Sequence, residues 1–387
     1  MPDCPHTVEG QRPVVAMMWP EYRGRAPFNA GVITRLNESG FSMRCLYLSK
    51  VSDVPNYIEQ RGIGVFYAGT GKSRTLNLPS ILHLARYLKA NNVTILHCHH
   101  HKATICGVLA ATLAGTPVVF SHVHGLNRTR TLLRRLTNRV CLKHVARIIA
   151  VSDAARRDVL ATNPFLDDDQ VVTIRNSTDF ERYADVSITG AQARKLLDIS
   201  EDALVFGTVG RLAPTKGQMH LIEAFAEVKK AIPNARLVIV GTGQLKEELE
   251  KRAAGLSVAD SVIFTGYRSD VPQILRAFDC FVLPSIAEGM PGALLEAMSA
   301  SLPCIASAVG GIPEVLTDSL GLLGLLVKPR DTIGLKEAML RCANMSKEDR
   351  MAMGKCARDH VEKFHHHNQY AQRLKQLYSE ELAKATR

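Results

Sequence analysis

Three short segments in the second half of this 387-residue chain carry residues that can bind an anion. The first, residues 209–217, reads VGRLAPTKG, and its Gly210 lets the backbone approach a ligand closely. Arg211 and Lys216 stand five positions apart, so both cations can converge on one anion. Taken alone, the segment is better interpreted as an exposed loop with scattered charge.

The second segment, residues 288–296, reads EGMPGALLE and predicts a helix with Pro291 in its first turn. The free N–H groups of that helix start would point toward an anion. They belong to Gly292, Ala293 and Leu294. Glu288 precedes the helix and Glu296 lies inside it, so one carboxylate can face a sugar while the other accepts hydrogen bonds from a ribose diol. The alternative is an ordinary helix with solvated carboxylates, but Glu296 has apolar neighbours on both sides.

The third segment, residues 310–314, reads GGIPE and is a common loop when taken alone. Together, the three segments resemble the retaining glycosyltransferases of family 4, which carry GRLxxxKG, Ex7E and GGxxE in this order. The resemblance covers about residues 204 to 330. It implies an α/β fold of the GT-B type, with two Rossmann-like domains whose parallel sheets face each other across a cleft.

The resemblance also implies roles for individual residues. Arg211 and Lys216 would bind the diphosphate of a nucleotide sugar next to Gly210, Glu288 the donor sugar and Glu296 the ribose. Backbone N–H groups of residues 292–294 would add contacts to the phosphate. Residues 121–125, SHVHG, match the family's His-Gly, which makes His124 a candidate for contact with the reacting sugar. The predicted catalytic residues are thus Glu288, His124, Arg211 and Lys216.

Two further matches to the family are weaker. Its N-terminal Gly-Gly loop is degraded here to residues 23–31, which read RGRAPFNAG. Asn176 stands where the family has Asn-Gly-x-Asp, with serine replacing the glycine.

Short apolar runs alternate with helix-length amphipathic segments along the chain, which predicts parallel sheets built from βαβ units. The predicted strands are residues 14–18, 44–48, 64–67, 94–97, 117–120, 147–151, 171–174, 204–209, 236–240, 261–265, 280–283, 304–306 and 323–327. A polar stretch separates the two halves, so we place the acceptor-side domain at 1–186 and the nucleotide-sugar domain at 187–367. The helical pattern of residues 368–387 could cross back to the first domain.

Composition predicts a cytoplasmic protein. Hydrophobic residues make up 46% of the chain, and nine scattered cysteines suggest buried fillers in a reducing compartment. The first residues lack an apolar signal core, and the longest apolar stretch is interrupted by Gly115 and Pro117. We expect neither a secretion signal nor a membrane span.

The charge distribution predicts an anionic partner. Thirteen Lys or Arg residues and no carboxylate side chain occur between residues 60 and 152. Many of them belong to a basic segment with interspersed leucines, whose cations are Arg128, Arg130, Arg134, Arg135, Arg139, Lys143 and Arg147. This segment predicts docking on the inner face of an anionic cytoplasmic membrane. A basic helix whose leucines face the core is the alternative.

Other chemistries have weaker support. His97, His99, His100 and His101 suggest zinc, as do residues 365–367, but neighbouring strand residues point to opposite faces and no Cys-x-x-Cys accompanies them. The Asp-x-Asp of residues 167–169 favours a solvated turn over a metal site. We therefore expect no metal and no other cofactor. Nucleic acid is disfavoured as a partner because the basic segment lacks aromatic stacking residues.

The expected reaction is transfer of a hexose or N-acetylhexosamine from a UDP-sugar or similar donor to a lipid-linked glycan, in the synthesis of cell-surface polysaccharide or lipopolysaccharide. A nucleotide-sugar epimerase or phosphorylase of the same architecture remains an alternative. So does a non-catalytic module that binds sugar nucleotides or RNA.

Overall fold

The computed structural model describes residues 12–24, 30–70, 77–126, 131–318 and 321–386. The chain forms two compact units, one comprising Met1–Arg175 with His367–Arg387 and the other Asn176–His366. The family-like loop at residues 25–29 and the cations Arg128 and Arg130 lie outside the described residues.

The first unit contains one sheet of seven parallel strands in the order β3-β2-β1-β4-β5-β6-β7. The strands are β1 (Val14–Trp19), β2 (Ser42–Tyr47), β3 (Gly64–Tyr67), β4 (Val93–His99), β5 (Val118–Val123), β6 (Arg147–Ala150) and β7 (Val171–Thr173). Between and after them run α1 (Ala30–Glu38), α2 (Leu78–Ala90), α3 (His100–Ala114), α4 (Leu132–Cys141) and α5 (Asp153–Thr162). The C-terminal helix (His367–Ala385) adds Tyr370, Leu374 and Tyr378 to the hydrophobic core of this unit.

The second unit contains a six-stranded parallel sheet in the order β10-β9-β8-β11-β12-β15 and a short antiparallel hairpin. Its strands are β8 (Val205–Val209), β9 (Arg236–Val240), β10 (Val262–Gly266), β11 (Cys280–Leu283), β12 (Cys304–Ser307), the hairpin β13 (Thr317–Asp318) and β14 (Gly321–Leu322), and β15 (Leu325–Val327). Its helices are α6 (Phe180–Ala184), α7 (Gly190–Lys195), α8 (Gln218–Ala231), α9 (Lys246–Gly255), α10 (Val271–Leu275), α11 (Gly292–Ser299), α12 (Ile312–Leu316), α13 (Thr332–Asn344) and α14 (Lys347–Phe364). The apolar faces of α8 and α13 pack with β8 and β9 into one buried cluster.

Strand order reverses at one place in each parallel sheet. In the first unit, β1 lies between β2 and β4, and in the second β8 lies between β9 and β11. In open parallel sheets, ligands bind beyond the carboxyl ends of the strands at such a point. The loops after β1, β4, β8 and β11 are therefore the positions where this fold offers binding sites.

Each of the thirteen predicted strands overlaps an observed one, and the predicted α/β class with two Rossmann-like sheets is confirmed. Three details differ from the sequence interpretation. Pro291 is the extended residue before α11, which begins at Gly292. Arg147 belongs to β6 and pairs with Glu381 of the C-terminal helix at 3.1 Å, so it is not part of a basic surface helix. Cys356 is exposed, whereas the other described cysteines are buried.

Among the described helices, none is both long and apolar enough to cross a bilayer.

Candidate active site

The first anion-binding segment leaves β8 and is supported by the loop after β9. The Gly210 N–H donates to the Val240 carbonyl at 2.9 Å, and the Leu212 N–H donates to Thr242 at 3.0 Å. A Cβ added at Gly241, whose φ is 136°, would lie 1.9 Å from the Gly210 oxygen. Gly241 is therefore needed for close packing of two backbones.

The first and second segments are joined at the carboxyl ends of β8 and β11. The Ile286 N–H donates to the Thr215 carbonyl at 2.8 Å. Gly217 follows with a φ of 67°, and a Cβ there would lie 2.0 Å from the Pro284 oxygen. Only glycine combines a positive φ with the absence of a Cβ that would clash with Pro284. This explains the Lys-Gly pair that ends the first segment.

This junction brings two of the predicted catalytic side chains together. The Lys216 ammonium lies 2.5 Å from Oε1 of Glu288, and the Ser285 hydroxyl donates to the same oxygen at 2.7 Å. The Glu288 side chain is only 10% exposed and that of Lys216 23%. The carboxylate is thus held by two donors at the edge of the site. Sequence reasoning assigned Lys216 and Glu288 to different parts of a ligand and missed Ser285, which no motif marked.

The third segment and the start of the second unit fix the loop before α11. The Gly311 N–H donates to the Gly289 carbonyl at 2.8 Å. The Asn176 side-chain amide donates to the Met290 carbonyl at 2.9 Å, and the Asn176 carbonyl lies 2.8 Å from Nδ1 of His365. All three segments therefore meet in one continuous backbone network. The sequence indicated Asn176 only as a match to the family's Asn-Gly-x-Asp.

The first turn of α11 lies directly after this loop. Its first three residues, Gly292 to Leu294, have no acceptors for their N–H groups within the helix, because the first turn lacks preceding carbonyls. Together with the helix dipole, these groups favour an anion at that end.

Glu296, on the same helix, is hydrogen-bonded to the phenol of Tyr183. Burial raises the pKa of Glu296, while the Tyr183 hydrogen bond and the Arg182 charge partly oppose that shift. Burial and the neighbouring carboxylate raise the pKa of Tyr183, so its hydroxyl stays protonated and donates. Tyr183 lies on α6, far from Glu296 in sequence, and no pattern pointed to it.

The first unit contains a column of stacked imidazoles at the carboxyl ends of β4 and β5. His97 and His99 lie two residues apart on β4 and share one face, and His99 pairs in register with His122 of β5. The ring of His124 stacks on that of His122 at 4.4 Å. The expectation that these histidines point to opposite faces was therefore wrong for His97 and His99. Residues two apart on a strand share a face, and the adjacent strand β5 adds His122 to the same face.

Hydrogen bonds connect these rings. His97 Nδ1 lies 2.5 Å from the Tyr378 hydroxyl, and His97 Nε2 lies 3.1 Å from His122 Nδ1. His99 Nδ1 lies 2.9 Å from His124 Nε2. Burial lowers the pKa of His97 from 6.5 to about 3, and it lowers the pKa values of His99 and His122 well below 6.5. The buried imidazoles are therefore neutral.

One grouping of possible metal ligands occurs among the described residues, formed by His97, His99 and His122 with ligand atoms within 4.8 Å of one another. Their ring planes are only 8° to 25° apart. Hydrogen bonds engage both nitrogens of His97 and one nitrogen each of His99 and His122, whereas a metal ion needs a lone pair from every ligand. This stacked arrangement favours mutual hydrogen bonding over coordination.

Two of the remaining metal candidates have other partners. His365 lies against Asn176, and His366 Nε2 lies 2.8 Å from a Glu181 oxygen. In the Asp-x-Asp stretch, Asp167 and Asp169 are exposed, and Asp168 between them pairs with Arg156 at 2.6 Å.

Comparison with known proteins places this geometry in a family. Residues 191–360 match the family described as "Glycosyl transferases group 1", and residues 30–182 match "Glycosyltransferase Family 4". A galactosyltransferase of Escherichia coli, named UDP-Gal:alpha-D-GlcNAc-diphosphoundecaprenol alpha-1,3-galactosyltransferase, is 31% identical over 68% of this chain and 70% of its own. The chain belongs to glycosyltransferase family 4.

Two other similar proteins extend the comparison. The putative glycosyltransferase EpsF of Bacillus subtilis is 30% identical to this family 4 enzyme over 59% of this chain and 60% of its own. HepE of Anabaena, solved with UDP-glucose, superposes with a TM-score of 0.80 at 19% identity, covering 95% of this chain and 99% of HepE. The HepE likeness supports the GT-B fold.

Proposed function

We propose that this family 4 glycosyltransferase transfers a hexose or N-acetylhexosamine from a UDP-sugar to a lipid-linked glycan, with retention of anomeric configuration, in cell-surface polysaccharide synthesis. The observation that carries the proposal is the junction of the three segments, where Lys216 and Glu288 meet beside the start of α11. The name of the E. coli relative, which specifies UDP-galactose and a lipid diphosphate acceptor, supports the substrate class. We propose residues 187–367 as the donor side and residues 1–186 as the acceptor side.

The diphosphate of the donor would be held by Arg211, Lys216, the Gly210 backbone and the first N–H groups of α11. Departure of a nucleoside diphosphate places negative charge on phosphate oxygens, and preorganised cations and backbone donors stabilise that charge. These groups would take the place of a metal ion, so we propose a metal-independent reaction without another cofactor.

The two carboxylates would bind the rest of the donor. Glu296 would accept hydrogen bonds from the ribose diol, with Tyr183 holding its carboxylate. Glu288 would bind hydroxyls of the transferred sugar. Glu288 pairs with Lys216, and a bound diphosphate would compete for the ammonium and release the carboxylate to the sugar. His124 would contact the reacting sugar.

Helix α4 supports docking on an anionic membrane. Its apolar residues are exposed, with Leu132 73%, Leu133 70%, Leu136 55% and Val140 65% accessible. The residues of α4 that face the body of the unit are Asn138 and Cys141. Arg135, Arg139 and Lys143 are exposed beside the apolar stripe. The alternative, in which these leucines pack in the core, does not agree with their exposure.

The occupant of this surface would be the anionic inner face of the cytoplasmic membrane. An exposed apolar stripe flanked by cations matches a bilayer whose headgroups are negative and whose interior is apolar. Such docking would hold the enzyme at the place where a lipid-linked acceptor is found.

Calorimetric titration with UDP-, GDP- and ADP-sugars tests the donor assignment. We expect binding of a UDP-sugar that Arg211→Ala weakens. Incubation of that donor with the enzyme alone then separates the alternatives, since an epimerase would isomerise it and a phosphorylase would require free phosphate. Binding without turnover in any membrane extract would favour a non-catalytic module.

A further inference from the structure

The stacked histidines end in a contact that bears on His124, the residue proposed to meet the reacting sugar. His99 Nδ1 lies 2.9 Å from His124 Nε2. Trp19 covers the other side of His99, with ring centroids 4.6 Å apart and planes within 6°. His99 is therefore held between an indole and its neighbouring imidazoles and cannot turn freely.

The hydrogen bond between these two rings has two possible directions, because a neutral imidazole donates from one nitrogen and accepts at the other. Either His99 donates from Nδ1, or His124 donates from Nε2. In the second case, the hydrogen of His99 must stand on Nε2.

The surroundings of His99 distinguish the two directions. Its Nε2 is buried and has no hydrogen-bond partner within the described part of the chain. A buried N–H without an acceptor is rarer and more costly than a bare acceptor nitrogen. The hydrogen of His99 therefore stands on Nδ1, which makes His99 the donor and His124 Nε2 the acceptor.

We propose that His99 is a positioning residue that holds His124 as the neutral tautomer with its hydrogen on Nδ1. This inference rests on the proposed role of His124 at the reacting sugar. It makes His124 a hydrogen-bond donor to an oxygen of the sugar and excludes it as a base, because its only lone pair is engaged by His99.

The buried surroundings of His99 maintain this state. Protonation of His124 would force the hydrogen of His99 onto its buried Nε2. Burial, and then the nearby imidazoles of His97, His122, His124 and His100, lower the pKa of His99, so His99 stays neutral. His124 also lines a cavity of about 60 Å³ together with Thr104, Ser121 and Asn138.

Nitrogen NMR on the full chain labelled with ¹⁵N-histidine tests the tautomer directly and requires no activity. His124→Asn identifies the His124 signals by their loss. We expect a protonated Nδ1 and a bare Nε2 near neutral pH in the wild type, and a shift of hydrogen toward Nε2 in His99→Leu. A wild-type His124 that is protonated on Nε2, or on both nitrogens, overturns the proposal.

A matched pair of variants tests the consequence for the reaction. An asparagine amide lies where Nδ1 of histidine lies, and a glutamine amide lies where Nε2 lies. His99→Asn can therefore donate to His124 and should keep kcat within about threefold of wild type, whereas His99→Gln should lose about tenfold or more. Equal losses in both variants would indicate a merely structural residue and contradict the proposal.

Failure of the proposed function and failure of the tautomer proposal give different results. If the wild type transfers no sugar, the proposed function is wrong, while the NMR experiment still reports the tautomer. If either His99 variant does not fold, as judged by near-UV circular dichroism, the NMR measurement of the His124 tautomer in the wild type alone tests the proposal.

Discussion

The Lys216 ammonium and the Glu288 carboxylate lie 2.5 Å apart, although 72 residues separate them in the chain. The contact exists because the loops after β8 and β11 meet at the reversal of strand order, where Thr215 and Pro284 bring the two backbones together. Each of these two charges is paired with the other. A bound diphosphate would compete for the ammonium, and sugar hydroxyls would compete for the carboxylate.

Replacing Lys216 with alanine should lower kcat by about 10²-fold or more, because one preorganised donor to developing negative charge is worth that much. Donor KM should change less, since leaving-group charge grows toward the transition state. The control is Lys246→Ala, which removes an exposed lysine of α9 that pairs with Glu250 in its own helix. Steady-state kinetics of both variants check this, and a Lys216→Ala enzyme with wild-type kcat would remove the lysine from the site.

Replacing Glu296 with alanine should weaken donor binding by about 10- to 100-fold, because hydrogen bonds to a charged acceptor contribute about 1.5–3 kcal/mol. Tyr183→Phe is the matched variant, since it removes only the hydroxyl that donates to this carboxylate and should cost about threefold or less. Titration calorimetry with the UDP-sugar measures both. Unchanged affinity in folded Glu296→Ala would contradict the ribose assignment.

The elements and the charged loop residues could be predicted because periodicity and motif spacing are local. Arg211, Lys216, Glu288 and Glu296 were proposed in this way, from motifs that resemble those of family 4. Contacts that depend on register or on distant elements left no local signal. Tyr183 reaches Glu296 from another helix, and the imidazole stack exists only because β4 and β5 pair His99 with His122.

The buried histidines should make stability depend on pH. Burial lowers the pKa of His97 from 6.5 to about 3. At pH values between these two, His97 is protonated in the unfolded chain and neutral in the folded one. Its contribution to stability is complete above pH 6.5 and is lost as pH falls toward 3. At pH values between the pKa of the folded and of the unfolded state, each such histidine should lower the free energy of unfolding by about 1.4 kcal/mol for each unit that the pH falls.

Urea unfolding followed by fluorescence of Trp19 measures this dependence within the first unit, because Trp19 is the single tryptophan and stacks on His99. His97→Gln should reduce the slope of stability against pH. His144→Gln, at an exposed position, should leave it unchanged. If stability has the same slope against pH in the wild type and in His97→Gln, His97 does not stay neutral in the folded protein.

The α4 surface should bind anionic vesicles and not neutral ones. Each cation near such a surface contributes about 1 kcal/mol, so Arg135→Glu with Arg139→Glu should weaken sedimentation with phosphatidylglycerol vesicles strongly. Leu132→Ser with Leu136→Ser should weaken it through lost apolar contact. Lys230→Glu, an exposed charge of the second unit, is the control. Equal binding to neutral vesicles, or none to anionic ones at low salt, would defeat the docking proposal.

Metal-independent transfer to a lipid-linked acceptor is the central claim, and one assay tests it most directly. The enzyme is incubated in EDTA with a UDP-hexose carrying a radioactive sugar and with N-acetylglucosamine linked through a diphosphate to a polyprenol. Release of UDP together with an equal amount of label in the lipid fraction is the predicted result. Loss of transfer in EDTA that manganese restores would contradict this claim and would indicate Asp167 and Asp169 as metal ligands. Isomerised donor without release of UDP would also contradict it.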